Sequence, residues 1–434
     1  RTDDRKKWLL GYNNQILDLG QLNVSFTQFI DNELIQFSME DNHRSLPHLI
    51  DGLKPSQRKI LFCAFKRKLI NEIKVAQLAG YVSENGAYHH GEASLQGAIV
   101  GMAQNYPGTN NINLLVPEGQ FGTRLQGGKD FAAPRYIFTY LTSITQKLFN
   151  TQDNPLLKYI NDDGMDVEPH FYTPILPLVL INGSDGIGTG WSSKVPQFNP
   201  LDLIKNMRLM ISGKEPKEIY PWYRGFKGSI LKLDDGSWMT KGVYKLVNKT
   251  TIEITELPVG IWTNNYKEML DKMVIGQVVK EEKKRGRKGT GKKKVEKHLK
   301  INNKEQSNGI EDNKFLKDYI NESSDVTIKF TLKFDAKILS LLLSSKDKNG
   351  ISEFEKRFRM TSKLSCNKTI NLFGSDGKLL NIKNITDVQR KFYETRIIYY
   401  DARKNYQLTE MNKVLALLAV RSRFIMDIIN KKIK

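Results

Sequence analysis

Eleven residues, Phe131 to Leu141, read F-A-A-P-R-Y-I-F-T-Y-L and set a phenol beside a guanidinium. A phenol titrates near pH ~10 and is a poor nucleophile at neutral pH unless its surroundings favour phenolate. Arg135 places a permanent cation one residue from Tyr136, where it can stabilise phenolate or an attacked phosphate. Pro134 cannot sit inside a regular helix and drives the residue before it out of the helical region. Tyr136 is therefore expected where a loop hands over to a more regular element, a place that exposes a side chain. An Arg-Tyr pair alone is equally the start of a packed strand. Upstream lie D-N-H-R-S-L-P (Asp41 to Pro47), D-G-L-K-P-S-Q-R-K (Asp51 to Lys59), Y-H-H-G-E (Tyr88 to Glu92), G-Q-F-G-T-R (Gly119 to Arg124) and G-G-K-D (Gly127 to Asp130).

In that order these segments resemble the DNA breakage-reunion region of eukaryotic DNA topoisomerase II, a type IIA enzyme. The resemblance runs from R-T-D-D-R-K-K-W at residue 1 to the C-terminal helical stretch, interrupted mainly by one lysine-rich run. It implies that Tyr136 attacks a DNA phosphodiester and becomes joined to the 5′ phosphate, leaving a free 3′ hydroxyl. Such a transesterification exchanges one phosphoester for another, so the break can be resealed without ATP. Arg135, Arg44 and His90 correspond to the family residues that stabilise charge on the phosphoryl oxygens. His90 could donate as imidazolium or as the neutral donor tautomer.

Bland readings stand beside these. The His89-His90 pair could be a metal site, but adjacent histidines rarely chelate one ion and no third ligand is evident. His89 reads as a histidine satisfied in the core. Lys54 and Arg58 share a helix face at i, i+4 and alone would be a solvated face. The resemblance instead puts Lys54 on the DNA backbone, with Tyr88 and Ser94 also at the DNA. Arg58 and Lys59 join Lys54 as DNA-binding candidates, and Lys129, just before the catalytic loop, is another. Phosphate contacts of this kind supply affinity and register rather than sequence choice. G-S-D-G-I-G-T-G-W (Gly183 to Trp191) superficially resembles a nucleotide loop, but Trp191 stands where a third glycine is needed and Pro196 and Pro200 break the required helix. The segment reads better as a glycine-flanked turn presenting Ile187, which matches the family isoleucine that wedges between base pairs and bends the duplex.

The elements that must position these groups follow from composition and pattern. At 434 residues, 39% hydrophobic and 26% charged, the chain has room for two to four domains. A net charge of +20 suits a polyanionic partner. The longest apolar runs, 174–181 and 414–420, fall short of a membrane span of about 20 residues, so no membrane partner is expected. The chain opens with no signal peptide and no methionine, and reads as starting within a longer protein. Cys63 and Cys366 form no metal pattern, and a reducing compartment fits them.

The fold class expected is multidomain α/β (α+β). Residues 1–36 read as a connector from a missing Toprim domain, with a short amphipathic helix at Trp8, Leu9 and Leu10. Residues 37–175 read as a winged-helix DNA breakage domain. Its helices are expected from Pro55, over Lys74 to Val82, and from Ser94 as N-cap, with strands at Asn113–Val116 and Tyr136–Tyr140. Residues 176–370 alternate strand and turn signals, as in 251–258 and 325–334, and the resemblance implies an α/β tower domain. Inside it, Lys280 to Lys300 carries eleven Lys/Arg against three Glu, a net of +8, so the rest of the chain retains +12. That run cannot bury a core, and a basic disordered insert is expected near 278–322. Residues 371–434 read as the start of a coiled-coil arm. From Thr386 onward there is no Gly or Pro, T-D-V-Q (386–389) has the capping-box pattern, and Leu408, Met411, Leu415, Leu418, Ile425 and Ile429 follow near-heptad spacing.

The function implied is an ATP-dependent type II DNA topoisomerase, acting as a nuclear homodimer on double-stranded DNA. Mg²⁺ and ATP would be bound by regions outside this chain, and the chain alone would bind DNA but cleave it poorly. A bacterial-type gyrase subunit is one rival, disfavoured because R-T-D-D-R-K-K-W resembles a junction inside a fused eukaryotic chain. A non-enzymatic winged-helix scaffold that binds and bends DNA is the other. It would need the basic face and Ile187 but not Tyr136 or Arg135.

Overall fold

A computed structural model of the chain describes residues 2–12, 15–18, 20, 23–274, 316–364 and 370–433. Two hydrophobic cores organise them. The first opens with α1 (Thr2–Leu10), whose Leu9 is buried while Leu10 is exposed. A helical stretch follows in three pieces: α2 (Phe26–Phe29), a π-helical segment (Ile30–Leu34) and α3 (Ile35–Ser45). A boundary at 36/37 would fall inside this helix, whose Ile35, Ser38 and Asn42 are buried on either side of it. α4 (Pro55–Lys66) starts with Pro55 in its first turn, as the sequence predicts, and the Gln57 side chain accepts from the Lys54 amide at 3.0 Å. β1 (Ile73–Lys74) leads into α5 (Val75–Asn85), and α6 (Glu92–Ala103) follows. Val75, Leu78, Ala79 and Val82 on α5 and Leu95, Ile99 and Ala103 on α6 recur at three- and four-residue spacing and are buried against α4. Gly91, not Ser94, is the N-cap of α6; Ser94 sits one turn inside, exposed.

β2 (Phe138–Thr139) pairs antiparallel with β1, Ile73 opposite Thr139. Asn113–Val116 forms no strand and contributes one isolated bridge, Leu115 to Leu141. α7 (Ser143–Leu148), a 3₁₀ turn (Thr151–Leu156), the hairpin of β3 (Tyr159–Asp162) and β4 (Met165–Pro169), and α8 (Leu178–Ile181) come next. The hairpin of β5 (Ser184–Ile187) and β6 (Ser192–Val195) and then α9 (Pro200–Ile211) complete this stretch. A domain boundary at 175/176 is not observed, since Leu178, Val179, Leu180, Ile181, Leu203 and Ile219 all pack into the first core.

The second unit holds the three-stranded sheet β13-β8-β7, with β7 (Ser229–Lys232) and β8 (Trp238–Lys241), and the four-stranded antiparallel sheet β11-β12-β10-β9. β9 (Val243–Asn248) and β10 (Thr251–Glu256) precede α10 (Thr263–Val274). β11 (Leu316–Asn321), β12 (Phe330–Phe334), α11 (Ala336–Ser344), α12 (Glu353–Arg357) and β13 (Thr361–Leu364) complete it. Along β10 burial alternates strictly, so Ile252, Ile254 and Glu256 all face inward. Most of the expected 278–322 insert, with the basic run 280–300, lies outside the described residues. Its end is corrected: Leu316–Asn321 is a strand, because buried Leu316 packs into the second core and the segment completes the edge of β12.

The chain then returns to the first core. β14 (Ile370–Phe373) and β15 (Leu379–Ile382) form a hairpin, and α13 (Ile385–Ile429) is a single 45-residue helix. At 1.5 Å per residue it runs about 68 Å. The 386–389 capping box does not form. Asn384 is the N-cap, its side chain donating to Asp387 Oδ2 at 3.2 Å and capping no helix amide, and Gln389 is buried, accepting from Asn206 Nδ2 at 2.9 Å. Ile370, Leu372, Ile382, Val388 and Phe392 belong to the first core, so 371 does not begin a separate arm. Arg396 and Arg403 both bind Asp153, at 2.7 and 3.2 Å, and the Arg396 guanidinium lies over the Tyr400 ring at 4.1 Å. Beyond that anchor, Leu408, Met411, Leu415, Leu418, Ile425 and Ile429 are exposed.

Phe392 is the fully buried aromatic by which α13 enters the first core. Phe392→Ala is expected to lower stability by about 3–5 kcal/mol, read as a lower urea midpoint with an unchanged denaturant slope.

Candidate functional site

Tyr136 occupies a tight turn, its amide donating to the Ala133 carbonyl at 2.9 Å. Both sides of that turn are tied down. The first amides of α5, which have no partner within the helix, donate to this loop: Val75 to the Ile137 carbonyl at 3.0 Å and Ala76 to the Pro134 carbonyl at 3.1 Å. Opposite, Ala132 N donates to Gln120 O at 2.9 Å, and Glu118 and Phe138 exchange amide bonds at 3.1 and 2.9 Å. Ile137 is buried, so its neighbour Tyr136 points outward and is 65% exposed. The Arg135 guanidinium lies over the Tyr136 ring, 5.0 Å from its centroid. A backbone tied on both sides thus carries an accessible phenol with a cation against it.

Arg44 and His90 line a separate cleft of about 780 Å³ that also takes in Glu40, Lys59, Tyr88 and Glu168. Arg135 and Tyr136 are not among its lining residues. Arg44 comes from the last turn of α3, and His90 from the loop between α5 and α6. Desolvation, followed by the positive charge of Arg44, pushes the His90 imidazole below its ordinary value. Both effects favour the neutral imidazole, which would donate through its N–H tautomer. Tyr88 is buried and meets His90 edge-on at 5.3 Å, so it supports that ring instead of presenting its own surface. His89 is not a core histidine. It is exposed and pairs with Asp162 of β3 at 3.2 Å, because the loop at the end of α5 turns it towards that hairpin.

The lysines and arginines of α4 divide. Lys54 Nζ donates to the Asp185 carbonyl at 2.9 Å, and burial pushes its ammonium below the ordinary value. This bond joins α4 to the β5–β6 hairpin, whose Ile187 is 79% exposed at the strand end. The hairpin presses on α3 so closely that a Cβ at Gly186 would lie 2.0 Å from the Ser45 carbonyl, and one at Gly188 2.2 Å from Asn42 Oδ1. Ile187 therefore stands beside Arg44's helix, and β6, not the helix of a nucleotide fold, follows it. Arg58 does not share an exposed face with Lys54. It is buried, with Nε and Nη2 on the Asp51 carboxylate at 2.8 and 3.1 Å. Lys59 is also turned inward, its Nζ on Gly86 O at 2.6 Å and Glu168 at 2.7 Å, which holds the end of α5 ahead of Tyr88. Lys129 and Ser94 are exposed.

Asp51 and His48 carry structural weight that spacing alone does not reveal. The Ile50 amide donates to His48 Nδ1 at 3.2 Å, so Nε2 bears the proton and donates to Gly374 O at 3.0 Å. His48 also stacks on Phe171 at 4.5 Å, and burial drives its imidazole down to about 4. A buried His between apolar Leu46 and Leu49 was the available sequence signal.

The family model for the DNA gyrase/topoisomerase IV A-subunit matches residues 44–317. DNA topoisomerase 2 of Candida albicans is 40% identical over 435 residues, covering 100% of this chain and 27% of that protein. Human DNA topoisomerase 2-alpha is 40% identical over 447 residues, with the same 100% and 27% coverage. Among solved structures, the Plasmodium falciparum topoisomerase II DNA-binding, cleavage and re-ligation domain superimposes with a TM-score of 0.83 at 37% identity, covering 100% of this chain and 54% of that one. The chain spans about a quarter of the length of the curated relatives it matches.

Two outcomes follow from the buried groups. Asp51→Ala strands the Arg58 cation in the core and should cost about 3–5 kcal/mol in denaturant unfolding. His48 holds its proton less tightly folded (about 4) than unfolded (about 6.5), so the unfolded chain binds more protons between those values. Its contribution is complete above pH 6.5 and falls away by up to about 3 kcal/mol as pH drops towards 4. Urea midpoints compared at pH 7 and 4.5 should decline less steeply in His48→Phe than in wild type.

Proposed function

We propose, for a chain that belongs to the DNA gyrase/topoisomerase IV A-subunit family and is similar throughout to eukaryotic DNA topoisomerase 2, that it is the breakage-reunion core of a type II DNA topoisomerase. The observation that carries this reading is Tyr136: an exposed phenol under an arginine, on a turn braced from both sides. In the proposed reaction the Tyr136 oxygen attacks a DNA phosphorus and the bond to the 3′ oxygen breaks. The strand is then left 5′-linked to tyrosine with a free 3′ hydroxyl. Arg135 neutralises charge on the phosphoryl oxygens, and Arg44 and the neutral His90 donate to phosphate from the cleft beside α3. Resealing is the same displacement in reverse.

On this reading α4, α5, α6 and the β1–β2 ribbon form a winged-helix module, the second unit is the tower, and the uncovered heptad residues of α13 are one strand of a coiled coil closing a homodimer. Lys54, Ser94 and Lys129 would track the DNA backbone and Ile187 would wedge between base pairs. Arg58, Lys59 and Tyr88 would act from beneath, holding the residues that touch DNA. Among the described residues no group of three or more His, Cys, Asp or Glu side chains is placed to hold a metal ion. The Mg²⁺ and ATP of a type II enzyme would be bound by regions of a longer protein, Mg²⁺ by Toprim carboxylates, and no step here is routed through either. Among the described residues no helix is long and apolar enough to cross a membrane. A nuclear location goes with the eukaryotic relatives.

The test uses the chain extended to its Toprim region, Mg²⁺ and a labelled nicked duplex, quenched with detergent. Wild type should give protein attached to the 5′ end, and Tyr136→Phe should abolish it. A wild type that bends DNA without any adduct would favour the scaffold reading, and an adduct surviving Tyr136→Phe would assign the nucleophile elsewhere.

A further inference from the structure

The turn bearing Tyr136 is an extension of the loop Gly119–Asp130, and that loop is gripped by the second unit. Arg124 Nη2 donates to Glu256 Oε1 at 2.5 Å, with both side chains buried. Glu256 is otherwise satisfied by the amides of Leu257 (3.0 Å) and Lys227 (3.3 Å), so its carboxylate knits three segments together. The grip extends to the backbone. The first amides of α10 donate out of the helix, Thr263 to Arg124 O at 3.3 Å and Asn264 to Leu125 O at 3.0 Å. Trp262 closes over the loop where Gly127 has φ +64, and a Cβ there would lie 2.3 Å from the indole nitrogen. From the other side, Gln104 Nε2 holds Phe121 O and Gly128 O at 2.9 and 3.1 Å. The loop therefore has almost no freedom of its own, and it passes its placement to Tyr136 through Gln120–Ala132 and Glu118–Phe138.

We infer that Arg124 and Glu256 are positioning residues for the nucleophile: their buried ion pair fixes the Tyr136 turn to the four-stranded sheet of the second unit. The inference deepens the proposed function and rests on Tyr136 being the attacking group. A carboxylate in the inward register of β10 needs a buried cation, and Arg124 is placed to be it. Displacements of about 1 Å at a reacting atom can cost on the order of a hundredfold in rate. Loss of the pair is therefore expected to fall on the chemical step more than on DNA binding.

In the full-length protein, Glu256→Gln keeps the side-chain volume and removes the charge. The single-turnover rate of 5′ adduct formation at saturating nicked duplex, with Mg²⁺, should fall roughly ten- to hundredfold. The half-saturating DNA concentration should change little, the melting temperature should fall because the buried Arg124 cation loses its counter-charge, and amide hydrogen exchange measured well below it should quicken over 119–136. The exchanged pair Arg124→Glu/Glu256→Arg should recover part of the rate. An adduct rate unchanged in Glu256→Gln overturns the inference, as does a loss matched by an equal loss of DNA affinity. If Glu256→Gln does not fold, Arg124→Lys, which keeps the charge but replaces the guanidinium whose Nη2 reaches Glu256, carries the same comparison with the same outcomes. Tyr136→Phe run alongside separates the two claims. If its adduct persists, the nucleophile assignment fails, while hydrogen exchange over 119–136 still reports whether the pair holds the loop.

Discussion

The Asp51 carboxylate is the constraint on which the first unit depends. It is wholly buried, and its two oxygens accept four hydrogen bonds: Nε and Nη2 of Arg58, the Leu53 amide at 2.9 Å and the Tyr172 amide at 2.9 Å. Arg58 returns a bond to Leu53 O at 3.0 Å. A buried ion pair is weak evidence of net stability, because desolvating both charges offsets much of their attraction. What this one supplies is geometry. It fixes the entry to α4, and hence Lys54, against the segment following β4. That segment supplies Phe171, which stacks on His48, and Tyr172, which packs edge-on to Phe65 and Phe149.

The same frame reaches the long helix. Phe171 meets Tyr399 of α13 edge-on at 5.9 Å, and Asp153 receives Arg396 and Arg403 from positions about two turns apart on that helix. The cleft holding Arg44 and His90, and the root of α13, are therefore two faces of one packed body. Among the described residues the arm beyond Arg403 has no such partners, and its apolar residues are exposed. In the proposed enzyme this division suits a gate: a rooted base transmits position, and an uncovered helix supplies a surface for a second copy.

The second unit bears on the chemistry through a different device. Its strand β10 and helix α10 reach back to Arg124 and Leu125 in the loop ahead of Tyr136, while the N-terminus of α5 holds Pro134 and Ile137 on either side of that tyrosine. Each helix uses carbonyls between Arg124 and Ile137 to satisfy amides that would otherwise lack partners. The glycines of G-G-K-D are explained by this crowding. Gly127 and Gly128 both have positive φ, and Trp262, Gln104 and Tyr106 occupy the space a side chain would need.

Much of this was legible in the chain. Pro134 next to Arg135-Tyr136 predicted an exposed tyrosine at a loop end, Pro55 marked the start of α4, and the Gly- and Pro-free C-terminus predicted one long helix. These are local rules of backbone geometry, and the ordered motifs carried the family. The division of the α4 cations was not legible. Lys54, Arg58 and Lys59 look alike by charge and spacing, and only the nearby Asp51 and the distant Asp185 and Glu168 decide that one reaches a hairpin while two turn inward. Core membership was not legible for the same reason. Leu178–Ile181 and Ile370–Phe373 are apolar in any reading, but which core they join depends on a chain path that no local pattern encodes. Glu256 lay in phase with Ile252 and Ile254, so its burial could be read from β10. That its partner is Arg124, 132 residues earlier, was decided by the tertiary structure alone, because a buried charge is satisfied by whatever the fold brings to it.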